Sequence, residues 1–358
     1  MPEIELYFKN EAQSVTKSLK HRLAWCLYMW ALIEGHIQPN RTIYEASSGN
    51  SAIAQAYFAQ LLGVPYLAIV PDDTEDVKID RIKIFGATVL KENIGKRFAL
   101  AAEMAKKSNG FYMNQFAHAG IAEEYHDSGN YDFESTNVLH EIIQQLKEIY
   151  KIEEYPHFFV HAAGTGGTIS SVGKFVKKYN LPTQVVLADP EFSEYYDYVT
   201  YGMFQNESAA NLWEPPGLHG IGFGYCCPAI YGVTTSLKSE VIDSAYKIPD
   251  LASIASMHFL RKHGIYGGPS TGINFITSLS IAARQRKNFT QDRKLHIVTL
   301  FADGGEMYED SYFNEAWISE HYKNPKSLHI LHCWKGVLET SFSTGSDPID
   351  LGSKICLT

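Results

Sequence analysis

The chain has 358 residues, 45% of them hydrophobic, enough to bury the core of two domains or of one large α/β unit. A formal net charge of −9, with no long basic run, argues against nucleic acid or an anionic membrane as the main partner. The acidic start MPEIELYFKNEA lacks the apolar core of a signal peptide, and the longest apolar run, LAWCLYMWALI (23–33), is too short to span a bilayer, so a soluble, cytoplasmic protein is expected.

The first element, ELYFK (5–9), reads as a strand. In SVTKSLKHRLAW (14–25), Lys17 and Lys20 then stand at the mouth of the apolar run. Read as a helix, that run puts Lys20 on one face with Leu23, Ala24, Leu27 and Ala31; Lys17 precedes the first turn and can point to water, and Gly35 ends the helix. An ammonium at the positive end of a helix, against an apolar stripe, is opposed by the dipole and by desolvation. Both lower its pKa and favour a neutral, nucleophilic amine. The plain alternative is that both lysines extend to solvent.

RTIYEA (41–46) is the next strand, followed by a helix from Ser51 to Leu62 that stops at Gly63. YLAIV (66–70), closed by Pro71, a helix over about 75–85 ended by Gly86, and TVLK (88–91) continue the alternation. HFFVHA (157–162), QVVLAD (184–189) and HIVTLFAD (296–303) are further buried strands, each near a helical pattern. This order implies an α/β fold with parallel sheets covered on both faces. After about residue 320 the pattern dissolves into SFSTGSDPIDLGSK, read as a mobile tail. The cysteines, Cys26, Cys226, Cys227, Cys333 and Cys356, form no CxxC pair, so reduced thiols are expected; HILHC (329–333) lacks the second cluster a metal site needs, and no metal is expected.

Three strand-to-helix joints carry small residues, and in an open parallel sheet ligands bind at such joints. Ser47-Ser48-Gly49-Asn50-Ser51 offers hydroxyls, an amide and backbone donors suited to a carboxylate, though an ordinary serine or asparagine N-cap is equally open. In Gly164-Thr165-Gly166-Gly167-Thr168 the glycines let several N–H groups converge on one anion, the threonines add hydroxyls, and the following helix offers its positive end. That is a phosphate cup; it is neither a P-loop, lacking GK[ST], nor GxGxxG. Gly267-Gly268-Pro269-Ser270-Thr271-Gly272 is weak alone, and Ser270 could simply cap its helix. A phosphate cup, a carboxylate loop and an activated lysine converge on pyridoxal phosphate, with the lysine holding its aldehyde as an imine.

SLKHR (18–22), EASSGNSAIA (45–54), GTGGTISSVGKF (164–175), GIGFG (220–224), GPSTG (268–272) and DGGEMY (303–308) occur in the order found in the cysteine synthase and cystathionine β-synthase family. The chain resembles that family of fold type II pyridoxal-phosphate enzymes from about residue 5 to 313, and the SLKHRLA and AYFAQLLGVP wording resembles its L-cysteine desulfhydrase branch. The resemblance implies a tryptophan synthase β-like architecture of two open parallel-sheet domains. The smaller, mobile one would span about 37–125, and the larger would take 1–36 and about 126–320. It implies that Lys20 binds the cofactor and moves the Cα proton, and that Asn50 hydrogen-bonds its ring oxygen. Gly164, Thr165, Gly166, Gly167 and Thr168 would hold its phosphate, and Ser270 would face the pyridine nitrogen. Ser47, Ser48, Ser51 and Gln115 would bind the substrate carboxylate, with Gly222 beside the substrate. A serine at the pyridine nitrogen makes the ring a weaker electron sink, which suits β-elimination from a small amino acid. A homodimer is also implied.

The wording departs from the family in places. The TPL motif before the lysine strand is absent, as expected of a shortened chain; Lys17 stands where a glycine is usual, and Gly305 stands in DGGE where DSGE is usual. Three functions follow: a lyase that releases hydrogen sulfide from L-cysteine, a synthase that replaces the β-substituent of an activated serine, and a non-catalytic sulfide-sensing relative. The SLKHR wording favours the lyase.

Overall fold

All strand pairs are parallel and fall into two sheets. The computed structural model describes residues 4–125, 137–202, 214–224, 230–286, 288–289 and 294–357. One sheet holds β1 (Ile4–Asn10), β6 (Phe158–His161), β7 (Gln184–Pro190), β8 (Ser244–Ile248) and β9 (Leu295–Phe301), in the order β1-β9-β6-β7-β8. The other holds β2 (Ile43–Glu45), β3 (Tyr66–Pro71), β4 (Thr88–Glu92) and β5 (Phe111–Tyr112), in the order β4-β3-β2-β5. The first strand runs beside the last, with Ile4 opposite Leu295 and Asn10 opposite Phe301, so residues far apart in the chain reach one sheet edge together.

Alternation along the strands explains why both faces are covered. In the five-stranded sheet Phe158, Val160, Val186, Ile297 and Leu295 join a core with α9 (Asp250–Lys262) and α10 (Pro269–Gln285). Phe159, Val185, Leu187, Val298 and Leu300 point the other way, to α6 (Val138–Tyr150) and α7 (Gly167–Lys178). In the smaller sheet Ile43, Tyr66, Ala68 and Val70 face α1 (Lys20–Ile33), α2 (Asn50–Leu62) and α3 (Asp76–Lys83), while Tyr44 and Ile69 face α4 (Arg97–Lys107). The face of α1 expected from the sequence is the buried one: Leu23, Ala24, Leu27 and Ala31 are all inside.

The C-terminal segment differs from the expectation. Instead of a patternless tail it forms α11 (Glu315–His321), α12 (Ser327–Thr344) and α13 (Pro348–Ile355). Leu331, Trp334, Val337 and Leu338, spaced three and four apart, seat α12 in the core under α9 and α10. Asp347 caps α13 through the N–H groups of Ile349 and Asp350, and Arg284 pairs with Asp347 and Asp350. The expectation of reduced thiols is corrected here too: Cys333 and Cys356 form a disulfide, because the turn between α12 and α13 brings their Cα atoms to 5.6 Å. Cys26 is a buried thiol, and Cys226 and Cys227 lie outside the described residues. Among the described residues no helix is long and apolar enough to cross a membrane, and no group of three His, Cys, Asp or Glu could hold a metal.

Candidate active site

The lysine loop is built by β1 turning back on itself. Ser14 Oγ accepts from the Ser18 N–H at 3.0 Å and donates to the Ser18 carbonyl at 2.9 Å, and the Leu19 N–H donates to Ala302 O, just past β9, at 2.7 Å. Lys20 is thereby the first residue of α1, at its positive end. Burial lowers its pKa, with the carboxylates of Asp303 and Glu123 pulling the other way. His161, the last residue of β6, is pushed down to about 3 by burial and by Lys20, so it stays neutral while Asn274 Nδ2 donates to its Nδ1 at 3.4 Å. Lys17 is exposed, with φ 61°, in the left-handed region. This explains the glycine usual at that position, and it keeps the lysine side chain in solvent. At Gly305 an added Cβ would overlap the Tyr266 ring, so this position has no room for a side chain.

The Asn50 loop does not use its side chains as a cap. The N-cap of α2 is Gly49, and no side chain bonds to the free N–H groups there. Asn50 Nδ2 instead donates to Asp303 Oδ2 at 2.7 Å, linking the start of α2 to the end of β9. Ser51 is buried and Ser47 and Ser48 are half-buried beside it. Glu45, wholly buried at the end of β2, accepts from the N–H of Ala46 at 2.8 Å, from Gln55 Nε2 at 2.9 Å and from the N–H of Gln115 at 3.1 Å. One carboxylate thus ties the root of the serine loop to Gln115, the first residue of α5 (Gln115–Tyr125).

The glycine loop is packed so closely that side chains are excluded. A Cβ at Gly164 would stand 2.5 Å from the carbonyl oxygen of Gly220, one at Gly167 2.7 Å from Ala119 Cβ, and one at Gly166 would overlap Leu237. Gly166 has φ 82°, which aims the first N–H groups of α7 into the turn. Tyr195 Oη donates to Gly164 O at 2.8 Å, and the Ser236 N–H to Thr165 O at 2.8 Å, bracing the loop from behind. Gly222, at φ 82°, donates its N–H to Ala163 O at 2.7 Å, which sets GIGFG against the same loop. Thr168 Oγ1 donates to Glu123 Oε1 at 3.2 Å. Glu123 therefore lies between the cradle and Lys20.

In the third loop Gly268 is the N-cap of α10 and no side chain caps it, so Ser270 is not a capping residue. Ser270 is buried in the first turn, and Gly268 donates its N–H to Asp303 O at 3.1 Å. The sequence does not single out Asp303, Glu123, Glu45 or His161, because the partners that bring them to the site (Asn50, Thr168, Gln115 and Asn274) lie far off in the chain. DGGEMY contained Asp303, but nothing local singled it out.

The residues fit a phosphorylated aldehyde. Side-chain-free turns surround the orphan N–H groups at the start of α7, an amine of lowered pKa stands across Glu123 from them, and buried Ser18 Oγ, Thr271 Oγ1 and Asp303 Oδ1 have no hydrogen-bond partner among the described residues. Such a set, at the carboxyl ends of two parallel sheets, defines a pyridoxal-phosphate enzyme of α/β architecture.

The chain belongs to the pyridoxal-phosphate dependent enzyme family, which matches residues 2–302. It is 46% identical over 360 residues to a Caenorhabditis elegans protein provisionally named as pyridoxal-phosphate dependent, covering 99% of this chain and 82% of that one. It is 34% identical over 325 residues to the L-cysteine desulfhydrase Cds1 of Mycobacterium tuberculosis, covering 90% of this chain and 82% of that protein. The crystal structure of an O-ureido-L-serine synthase shares the fold at TM-score 0.67 and 22% identity, covering 88% of this chain and 91% of the other.

Proposed function

We propose that this protein is a cysteine desulfhydrase, converting L-cysteine and water to pyruvate, ammonia and hydrogen sulfide. The observation that carries this reading is the 34% identity with an L-cysteine desulfhydrase along 90% of the chain. Lys20, Asn50, Gly164 to Thr168 and Ser270 would hold pyridoxal phosphate, Lys20 covalently. Bound there, the cofactor supplies an electron sink for bond breaking at Cα.

The other work falls to side chains. Ser47, Ser48, Ser51 and Gln115 hold the substrate carboxylate at the N-terminus of α2, where the dipole favours an anion. Gly222, without a side chain, leaves room beside Cβ. Lys20, whose pKa burial lowers, takes the Cα proton as general base, and sulfide leaves from Cβ. Ser270 neither adds nor removes charge at its end of the site. In this reading the protein is a cytoplasmic homodimer acting on a small amino acid.

The test is a product assay on purified chain loaded with pyridoxal phosphate. Sulfide and pyruvate should appear in equal amounts from L-cysteine alone, and Lys20→Ala should lower the rate by about 10²–10⁴-fold. Cysteine formed from O-acetylserine and sulfide, with no sulfide released from cysteine, would instead establish the synthase. No turnover of either substrate by loaded enzyme would leave the non-catalytic relative.

A further inference from the structure

We propose that Asp303 is a positioning residue that decides which end of the Asn50 amide faces the cofactor. Asp303 follows β9, 5% exposed, and its Oδ2 accepts from Asn50 Nδ2 at 2.7 Å and from Tyr308 Oη at 2.7 Å. The residue is held at both ends. Its carbonyl accepts from Gly268, and its Oδ1 lies where a Cβ on Gly268 would stand, so the carboxyl packs directly against that loop.

The chemistry of the pair follows from donor and acceptor types. An ionised carboxylate only accepts, whereas an asparagine amide has one accepting and one donating end. Facing Asp303, Asn50 must present its NH2 group; the flipped amide would set oxygen against oxygen in a buried place, an arrangement costly in low dielectric. The same NH2 carries a second N–H, which remains as a donor. An anionic ring oxygen needs a donor and would be repelled by the amide carbonyl. Burial raises the Asp303 pKa, and the two donors on Oδ2 oppose it by favouring the ionised carboxylate. The link also crosses the molecule, since Asn50 begins a helix on the four-stranded sheet and Asp303 follows a strand of the other.

This rests on the cofactor contacts proposed above for Lys20 and Asn50, but not on the identity of the substrate. The test is therefore cofactor binding, not turnover. Dissociation constants for pyridoxal phosphate and the position of the visible absorption band are measured on cofactor-stripped wild type, Asp303→Asn, Asn50→Ala and the double variant. Asp303→Asn, nearly isosteric, should weaken binding about tenfold and shift the band. The double variant should bind no more weakly than Asn50→Ala alone, because Asp303 acts through Asn50. Tyr308→Phe, which leaves the carboxylate in place, should stay within about twofold of wild type. Should Asp303→Asn not fold, Asp303→Ser carries the comparison, as its hydroxyl can face either end of the amide. Wild-type affinity and band in the Asp303 variant, additive losses in the double variant, or an equal loss in Tyr308→Phe would each overturn the proposal. Sulfide assays decide the reaction separately, so the two can fail independently.

Discussion

Glu123 accepts from Thr168, in the loop proposed to hold the cofactor's phosphate, and interacts with Lys20, the amine proposed to bind it. Burial raises its carboxyl to about 7, against the Thr168 hydroxyl, Lys20 and Arg22 of α1, and Lys174 of α7, all of which favour the ionised form. A carboxyl with a raised folded pKa adds stability that is complete below its unfolded value, near 4.5, and is lost as pH rises through about 7. Glu123→Gln, which resembles the protonated form, should therefore lose less stability than wild type between pH 5 and pH 8. The difference between the two slopes should total roughly 2–3 kcal/mol. Urea unfolding of the cofactor-stripped chain at four pH values measures it; parallel slopes would mean that Glu123 does not titrate in this range. Asp189 and Glu191, also raised to about 7, add to both slopes and cancel in the comparison. Arg22 remains charged throughout, since it is held by Glu11 at 2.8 Å and by Glu141.

At the scale of elements, α12 and α13 close the molecule over α9 and α10. Gly352 of α13 lies flat against the Trp334 ring of α12, which is wholly buried, and an added Cβ would overlap that ring. Alanine is a better helix former than glycine by up to about 1 kcal/mol, but forcing a methyl into a filled core typically costs about 1–3 kcal/mol. Gly352→Ala should thus lower the unfolding free energy, by about 1–2 kcal/mol, and thermal or urea unfolding would show a rise instead if Trp334 can step aside. The same helices show why their strength was hard to read. Leu331, Trp334, Val337 and Leu338 repeat at helical spacing, but SFSTGSDPIDLGSK beyond them is rich in turn formers, and only the Asp347 cap and its Arg284 partner turn that stretch into a helix start. β8, SAYKI, is half-buried along most of its length and carries no clear alternation; pairing with β7 makes it a strand.

For the molecule as a whole, we expect the four-stranded half to close on the substrate while the five-stranded half stays fixed. Among the described residues the loops of the two halves are joined by Asn50 reaching Asp303, by Ser236 Oγ donating to Phe116 O at 2.7 Å and by Thr168 donating to Glu123. Hydrogen exchange on the loaded enzyme tests this. L-alanine, which has no β-leaving group, should slow exchange in residues 47–51 and 115–122 more than in β6, β7 and β9. Equal protection everywhere, or none, would argue against closure.

The amino-acid sequence by itself determined the parts whose physics is local. Apolar strands between helical stretches imply parallel sheets; glycine and threonine before a helix make an anion cup; a lysine heading an apolar face becomes a poor place for a charge. Each depends on residues within one or two turns of each other, so spacing reveals it. Tertiary structure decided the rest. Tyr308 is a local partner of Asp303, but the bond that brings Asp303 to the site, to Asn50, spans 253 positions. Glu123 owes its raised pKa to burial against α1 and α7, and Cys333 meets Cys356 only because two helices fold back together. Desolvation and pairing depend on what surrounds a group in space, and a linear chain does not display that.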